Sequence, residues 1–218
     1  MQQWAFVTIG QSPRDDILPD LLPEAAAPAV RQVGVLDGLD DAEIAAGAPA
    51  DEDEERLCTR LADGREVVIA KRWTAQRLQV LVDALDAEDV DLIVLLCTGY
   101  FDGLKARTLL IEPQRLVDHT VDALAEGGRR VGVLVPLASQ VPEFARRGGA
   151  RWPVTVSHAS PYAPGRFAEA AGELGDAELI VMHCMGYDEA MRREVAAAAG
   201  RPVLLARRLL AATVAQFV

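Results

Sequence analysis

Residues 90–100 read VDLIVLLCTGY, an apolar run from Leu92 to Leu96 that stops at once in Cys97, Thr98 and Gly99. A continuous apolar run with β-branched members suits a parallel strand buried on both faces, which needs helices on either side of its sheet. That requirement predicts an α/β fold. A residue just after such a strand lies at the carboxyl edge of the sheet, where open α/β folds hold their ligands. Residues 177–188 repeat the pattern as AELIVMHCMGYD. Superposing Cys97 on Cys184 superposes the two apolar runs, and it places Gly99-Tyr100 on Gly186-Tyr187. The repetition predicts two similar Rossmann-like subdomains with mainly parallel sheets and an interdomain cleft, each offering one thiol from a strand end.

The remaining segments fit that plan. Trp4 to Ile9 reads as a first buried strand leaving through Gly10. Pro13 is suited to open a helix, with Asp15 and Asp16 in its first turn and a stop at Pro23. Short strands are expected at 32–36, 130–135, 154–157 and 202–206. Asp63-Gly64 between 57–61 and 66–70 predicts a β-hairpin added to the main sheet. Helices are expected from Asp40, from a cap at Thr74, from Pro113 to Gly127-Gly128, and over 141–147, 166–174, 187–199 and 207–218. The subdomains are predicted as 1–112, completed by 203–218, and 113–202.

Half of the 218 residues are hydrophobic, enough for a sizeable core, and the net charge of -11 argues against nucleic-acid or acidic-membrane binding driven by bulk charge. No apolar run is long enough to span a membrane. Cys58, Cys97 and Cys184 have no disulfide-scaffold spacing, and the first residues read as a strand, so cytoplasm is the expected location. The acidic run 51–55 reads as a solvated face, because no histidine accompanies it. His119, His158 and His183 form no zinc motif. Neither a P-loop nor a dinucleotide fingerprint is present. No cofactor or metal is expected.

Two cysteines at equivalent strand ends have a specific chemical use. A thiolate can remove a proton from a carbon beside a carboxylate, and a thiol on the opposite face can return one. Donors must hold the carboxylate, where charge grows. The candidates are Thr98, Gly99, Gly186 and a loop containing Ser12 and Arg14, with Tyr100 and Tyr187 shaping the pocket. The Ser12–Arg14 loop has two readings: an anion clamp, or a capped turn whose arginine sits in a surface ion pair. The alternative for both cysteines is that they are buried apolar thiols. Cys58, between polar neighbours in the hairpin, reads as structural. His183 should point away from Cys184 if the strand continues, and Asp188 begins the next helix or orients His183.

Taken together, residues 8–14 (TIGQSPR), 36–39 (LDGL), 107–115 (RTLLIEPQR) and the two cysteine strands resemble the AroM family nearly end to end. That family is distantly similar to the aspartate/glutamate racemase superfamily. The resemblance implies two α/β domains around a substrate cleft, Cys97 and Cys184 as acid and base, a small carboxylate-bearing partner and a homodimer. Thr98-Gly99 follows the first cysteine where racemases commonly have Asn-Thr. Met185-Gly186 follows the second where many have Thr-Glu or Thr-His. These differences point away from aspartate or glutamate as substrate.

The leading expectation is a cofactor-independent racemase or isomerase of a small carboxylate or related carbonyl compound. A single-cysteine lyase working through Cys184 is the second. A non-enzymatic small-anion binding protein is the third, distinguished by ligand affinity that survives replacement of either cysteine.

Overall fold

The computed structural model describes residues 3–22, 29–163 and 165–218. The stop expected at Pro23 lies outside them. The chain divides into two compact units, residues 1–114 with 214–218, and residues 115–213.

In the first unit β1 (Gln3–Thr8), β2 (Ala29–Gly34), β5 (Leu92–Leu95) and β6 (Leu109–Ile111) form one parallel sheet in the order β2-β1-β5-β6. All four residues of β5 are buried, as an apolar run covered on both faces requires. Strands β3 (Arg56–Arg60) and β4 (Glu66–Ala70) pair antiparallel around Gly64, whose φ of +93° is the left-handed conformation that a tight hairpin demands. This hairpin is a separate two-stranded sheet, not the extension of the main sheet expected from sequence.

Two helix starts also differ from expectation. Helix α1 (Leu18–Leu21) begins five residues after Pro13, because the intervening loop is drawn into side-chain contacts described below. Helix α2 (Asp41–Ala46) starts from a capping box between Asp40 and Glu43. Helix α3 (Lys71–Ala87) then follows β4 directly. Thr74 is one turn inside it and donates to the Ala70 carbonyl at 2.8 Å instead of capping its start. The core of this unit gathers Val7, Ile69, Leu78, Ile93 and Leu95 from strands and α3.

Helix α4 (Pro113–Leu124) opens at the expected proline. In the second unit β7 (Val131–Val135), β8 (Val154–His158), β9 (Leu179–Met182) and β10 (Val203–Leu205) form the parallel sheet β10-β9-β7-β8. Helices α5 (Val141–Gly149), α6 (Phe167–Glu173), α7 (Glu189–Ala199) and α8 (Ala206–Val214) belong to the same half. Read from the other edge, its order is β8-β7-β9-β10, the same as β2-β1-β5-β6. The internal repeat is therefore topological as well as sequential. Strand β10 pairs with β9, so residues 203–205 complete the second sheet and not the first. Only residues 214–218 group with the first unit. Among the described residues, no helix is long and apolar enough to cross a membrane.

Candidate active-site loops

In each sheet the chain leaves the first strand in one direction and the cysteine strand in the other. Strands β1 and β5 part in this way in the first unit, and β7 and β9 in the second. This is the switch point at which loops separate and leave room for a ligand. Val7 pairs with Leu95, so the loop after β1 and the loop carrying Cys97 leave the sheet at the same level.

The two cysteine loops share a local geometry. The Gly99 N–H donates to Cys97 Sγ at 3.2 Å, and the Gly186 N–H donates to Cys184 Sγ at 3.3 Å. In each case the sulfur accepts from the amide two residues on. A hydrogen bond given to sulfur is strongest when the sulfur is charged, so this arrangement favours the thiolate. The glycines also solve a packing problem. A Cβ on Gly99 would stand 3.0 Å from Leu57 Cδ2 and 3.3 Å from Cys97 Sγ. On Gly186 it would stand 2.7 Å from Pro161 Cγ and 2.8 Å from Tyr162 Oη. Cys97 and Thr98 are buried, whereas Cys184 is half-buried. Cys58 is buried on the hairpin.

The loop after β1 is built from internal ion and hydrogen-bond partners. Asp37 accepts from the Ser12 N–H at 2.7 Å, the Ser12 hydroxyl at 2.7 Å and the Gly34 N–H at 2.7 Å. Arg14 is itself only 4% exposed, but it makes the ion pair of the second reading, with the partly exposed Asp16. Its Nε and Nη2 each donate to Asp16 at 2.8 Å, and Nη1 lies 3.4 Å from Thr8 Oγ1. The Ser12–Pro13 peptide is cis. Both groups expected to grip a substrate anion thus hold carboxylates of this chain. Asp16 has its pKa lowered: burial opposes this, and the hydrogen bonds and charge of Arg14, with the charge of Arg60, outweigh it.

Tyr100 and Tyr187 occupy unlike environments despite their matching positions. Tyr100 stands at the surface, with Lys71 Nζ 5.9 Å from its ring centre. Tyr187 is fully buried. Its hydroxyl donates to the Ala159 carbonyl at 2.7 Å, and its ring meets Phe167 edge-on at 5.9 Å. As placed, Tyr187 supports the Cys184 turn from behind. Asp188 caps α7 by accepting from the Met191 N–H at 2.9 Å. His183 is buried, with Phe144 edge-on at 4.7 Å. Burial is the main cause that pushes its pKa down to about 4. The Arg147 charge lowers it further, and the Asp118 charge opposes both.

Sequence reasoning missed two basic residues. Lys71, the first residue of α3, stands beside Tyr100 and pairs with Glu55 at 2.8 Å. Arg207, in the first turn of α8, is 3% exposed. It donates to the Met185 carbonyl through Nε at 3.0 Å and Nη2 at 2.8 Å, and to the Gly186 carbonyl at 3.2 Å. A usable signal existed: each is the basic residue that follows a strand with no loop between.

We found no significant match among curated proteins. Solved structures match over nearly the whole chain. The glutamate racemase from Aquifex pyrophilus aligns with a TM-score of 0.60 at 12% identity, covering 100% of this chain and 84% of its own. The maleate isomerase Iso from Pseudomonas putida S16 aligns at 0.59 and 14%, covering 100% and 92%. The allantoin racemase from Pseudomonas fluorescens aligns at 0.57 and 14%, covering 99% and 90%. The chain therefore shares its fold with these solved racemase and isomerase structures. The model of the AroM protein family matches residues 4–218, and the chain belongs to that family.

Proposed function

We propose that this protein is a cofactor-independent racemase or isomerase of a small carboxylate or related carbonyl compound. Cys97 and Cys184 are its acid and base. The observation that carries the reading is the repeated thiol turn: at equivalent strand ends, each sulfur accepts the N–H of a glycine two residues on. One thiolate takes the proton of the acidic C–H bond and becomes a thiol. The electron pair passes into the adjacent carboxylate or carbonyl. The other thiol then delivers a proton to the opposite face and becomes a thiolate, so the two cysteines exchange protonation states and no electrons are gained or lost.

The Thr98 hydroxyl and the backbone amides of Thr98 and Tyr100 are assigned to the substrate's negative oxygens, with the Gly99 N–H on Cys97 Sγ and with the Tyr100 side chain and Lys71 at the rim. Ser12 and Arg14 are assigned to the wall of the site, since Asp37 and Asp16 hold their donors. A cytoplasmic homodimer completes this reading, with sedimentation at micromolar concentration as its check.

The test is product formation by purified wild type, Cys97→Ser and Cys184→Ser on small carboxylates first identified by thermal shift. Loss of turnover in both variants is expected. One observation favours a second reading, a lyase that uses Cys184 alone: Cys184 is the less buried of the two thiols. Full turnover in Cys97→Ser with loss in Cys184→Ser would select it.

A further inference from the structure

The turn that carries Cys184 is held from below by a charge more than 20 residues further along the chain. Its residues bridge β9 and α7, and the Tyr187 N–H reaches the Cys184 carbonyl at 3.4 Å. The central peptide of the turn joins Met185 to Gly186. In a trans peptide the C=O and N–H point in opposite directions within one plane. Whatever fixes the Met185 carbonyl therefore fixes the direction of the Gly186 N–H. Arg207 fixes it with two donors, Nε at 3.0 Å and Nη2 at 2.8 Å, and Nη2 also reaches the Gly186 carbonyl at 3.2 Å. On the opposite side of the same peptide, the Gly186 N–H meets Cys184 Sγ at 3.3 Å.

We propose that Arg207 is a positioning residue for Cys184: by gripping the Met185 carbonyl it turns the Met185–Gly186 peptide so that the Gly186 N–H is aimed at the sulfur. The inference rests on the reading of Cys184 as a working thiol. The guanidinium acts in two ways. It holds the plane of the peptide, which a flexible turn would otherwise vary. It also draws electron density toward the carbonyl oxygen, which makes the N–H at the other end of the amide a stronger donor. Both effects favour the thiolate over the thiol. A planar fork suits this task better than an ammonium, since two of its donors converge on one oxygen while remaining rigid.

The other charged groups around the turn have partners of their own. Asp188 accepts from the Met191 N–H, and Glu189 pairs with Arg192, Arg193 and Arg208. His183 points to the Phe144 side. Tyr187 fixes the far end of the turn through the Ala159 carbonyl. The Met185–Gly186 peptide, bonded at one end by Arg207 and at the other by Cys184 Sγ, is the link between the guanidinium and the sulfur.

The experiment is the pH profile of alkylation of Cys184 by iodoacetamide, read by mass spectrometry of the Cys184 peptide in the intact chain. Wild type is compared with Arg207→Lys and Arg207→Gln, and the alkylation of Cys97 serves as the internal reference. In wild type the Cys184 midpoint is expected below the free-cysteine value of about 8.5. In both variants it should rise by about one pH unit, so that reactivity at neutral pH falls about tenfold, with Cys97 unchanged. An unchanged Cys184 midpoint in a variant that retains a cooperative thermal transition overturns the proposal. So does a wild-type midpoint at or above the free value, which decides the matter even if both variants unfold. The measurement uses no substrate and no turnover. A chain that catalyses no proton exchange but shows the shift refutes the proposed reaction and leaves the role of Arg207 standing.

Discussion

Asp16 fills the fork of Arg14. Nε lies 2.8 Å from one carboxylate oxygen and Nη2 lies 2.8 Å from the other, so the guanidinium makes the bidentate contact that a substrate carboxylate would have made. Removing that carboxylate takes the bidentate partner from a buried guanidinium. Asp16→Asn should lower stability by about 1–2 kcal/mol in urea unfolding, less than for a fully buried pair because Asp16 is partly exposed. Because the folded pKa of Asp16 is lowered, its contribution is present above the unfolded carboxylate pKa. It is lost as pH falls through the folded value. Arg14→Lys keeps the charge and loses the fork, and should cost a similar amount with little change in substrate KM.

Asp37 does comparable work on the other side of the same loop. It accepts three hydrogen bonds, two from Ser12 and one from Gly34, and truncation to alanine strands the buried share of those donors. Asp37→Ala should cost roughly 2–4 kcal/mol by chemical denaturation, against under 1 kcal/mol for exposed Asp53→Ala.

His183 should remain neutral through the physiological range. Its folded pKa of about 4 lies below the ordinary value of 6.5. The unfolded chain therefore binds the proton first, and stability falls as pH drops from about 6.5 toward 4. The full loss is on the order of 3 kcal/mol. Histidine ring resonances followed by NMR should show no titration of His183 above pH 5. His183→Leu should flatten the stability profile over that window.

The two thiol turns should tolerate a methyl group unequally. A Cβ on Gly186 meets Pro161 Cγ at 2.7 Å and Tyr162 Oη at 2.8 Å, with the Tyr162 ring behind it at 3.0 Å, whereas one on Gly99 meets the movable end of Leu57 at 3.0 Å. Gly186→Ala should therefore cost about 1–3 kcal/mol and Gly99→Ala less, as thermal unfolding would record.

Much of this architecture is written locally. The runs ending at Cys97 and Cys184 announce doubly covered strands, Asp63-Gly64 announces the hairpin, and Pro113 opens α4. These features depend on periodicity and backbone preference within a few residues. The unread parts depend on partners distant in sequence. Ser12 and Asp37 are 25 residues apart, and Arg207 and Met185 are 22 apart. No local pattern says that a loop donor will meet an internal carboxylate instead of a substrate. Tyr100 and Tyr187 show the same limit, because equal positions in a repeat diverge when the surrounding loops differ. The placement of β10 was also unreadable, since a short apolar strand near the end of the chain suits either sheet.

The central claim is that Cys97 and Cys184 move a proton on and off carbon. Its most direct measurement is proton NMR in D2O on the carboxylates that raise the melting temperature of the protein. With wild type, the resonance of the acidic C–H bond of a true substrate should fade as deuterium replaces hydrogen. It should persist in Cys97→Ser and in Cys184→Ser, both folded by thermal melting. Full exchange in both variants, or resonances that wild type leaves untouched on every bound carboxylate, would contradict the account.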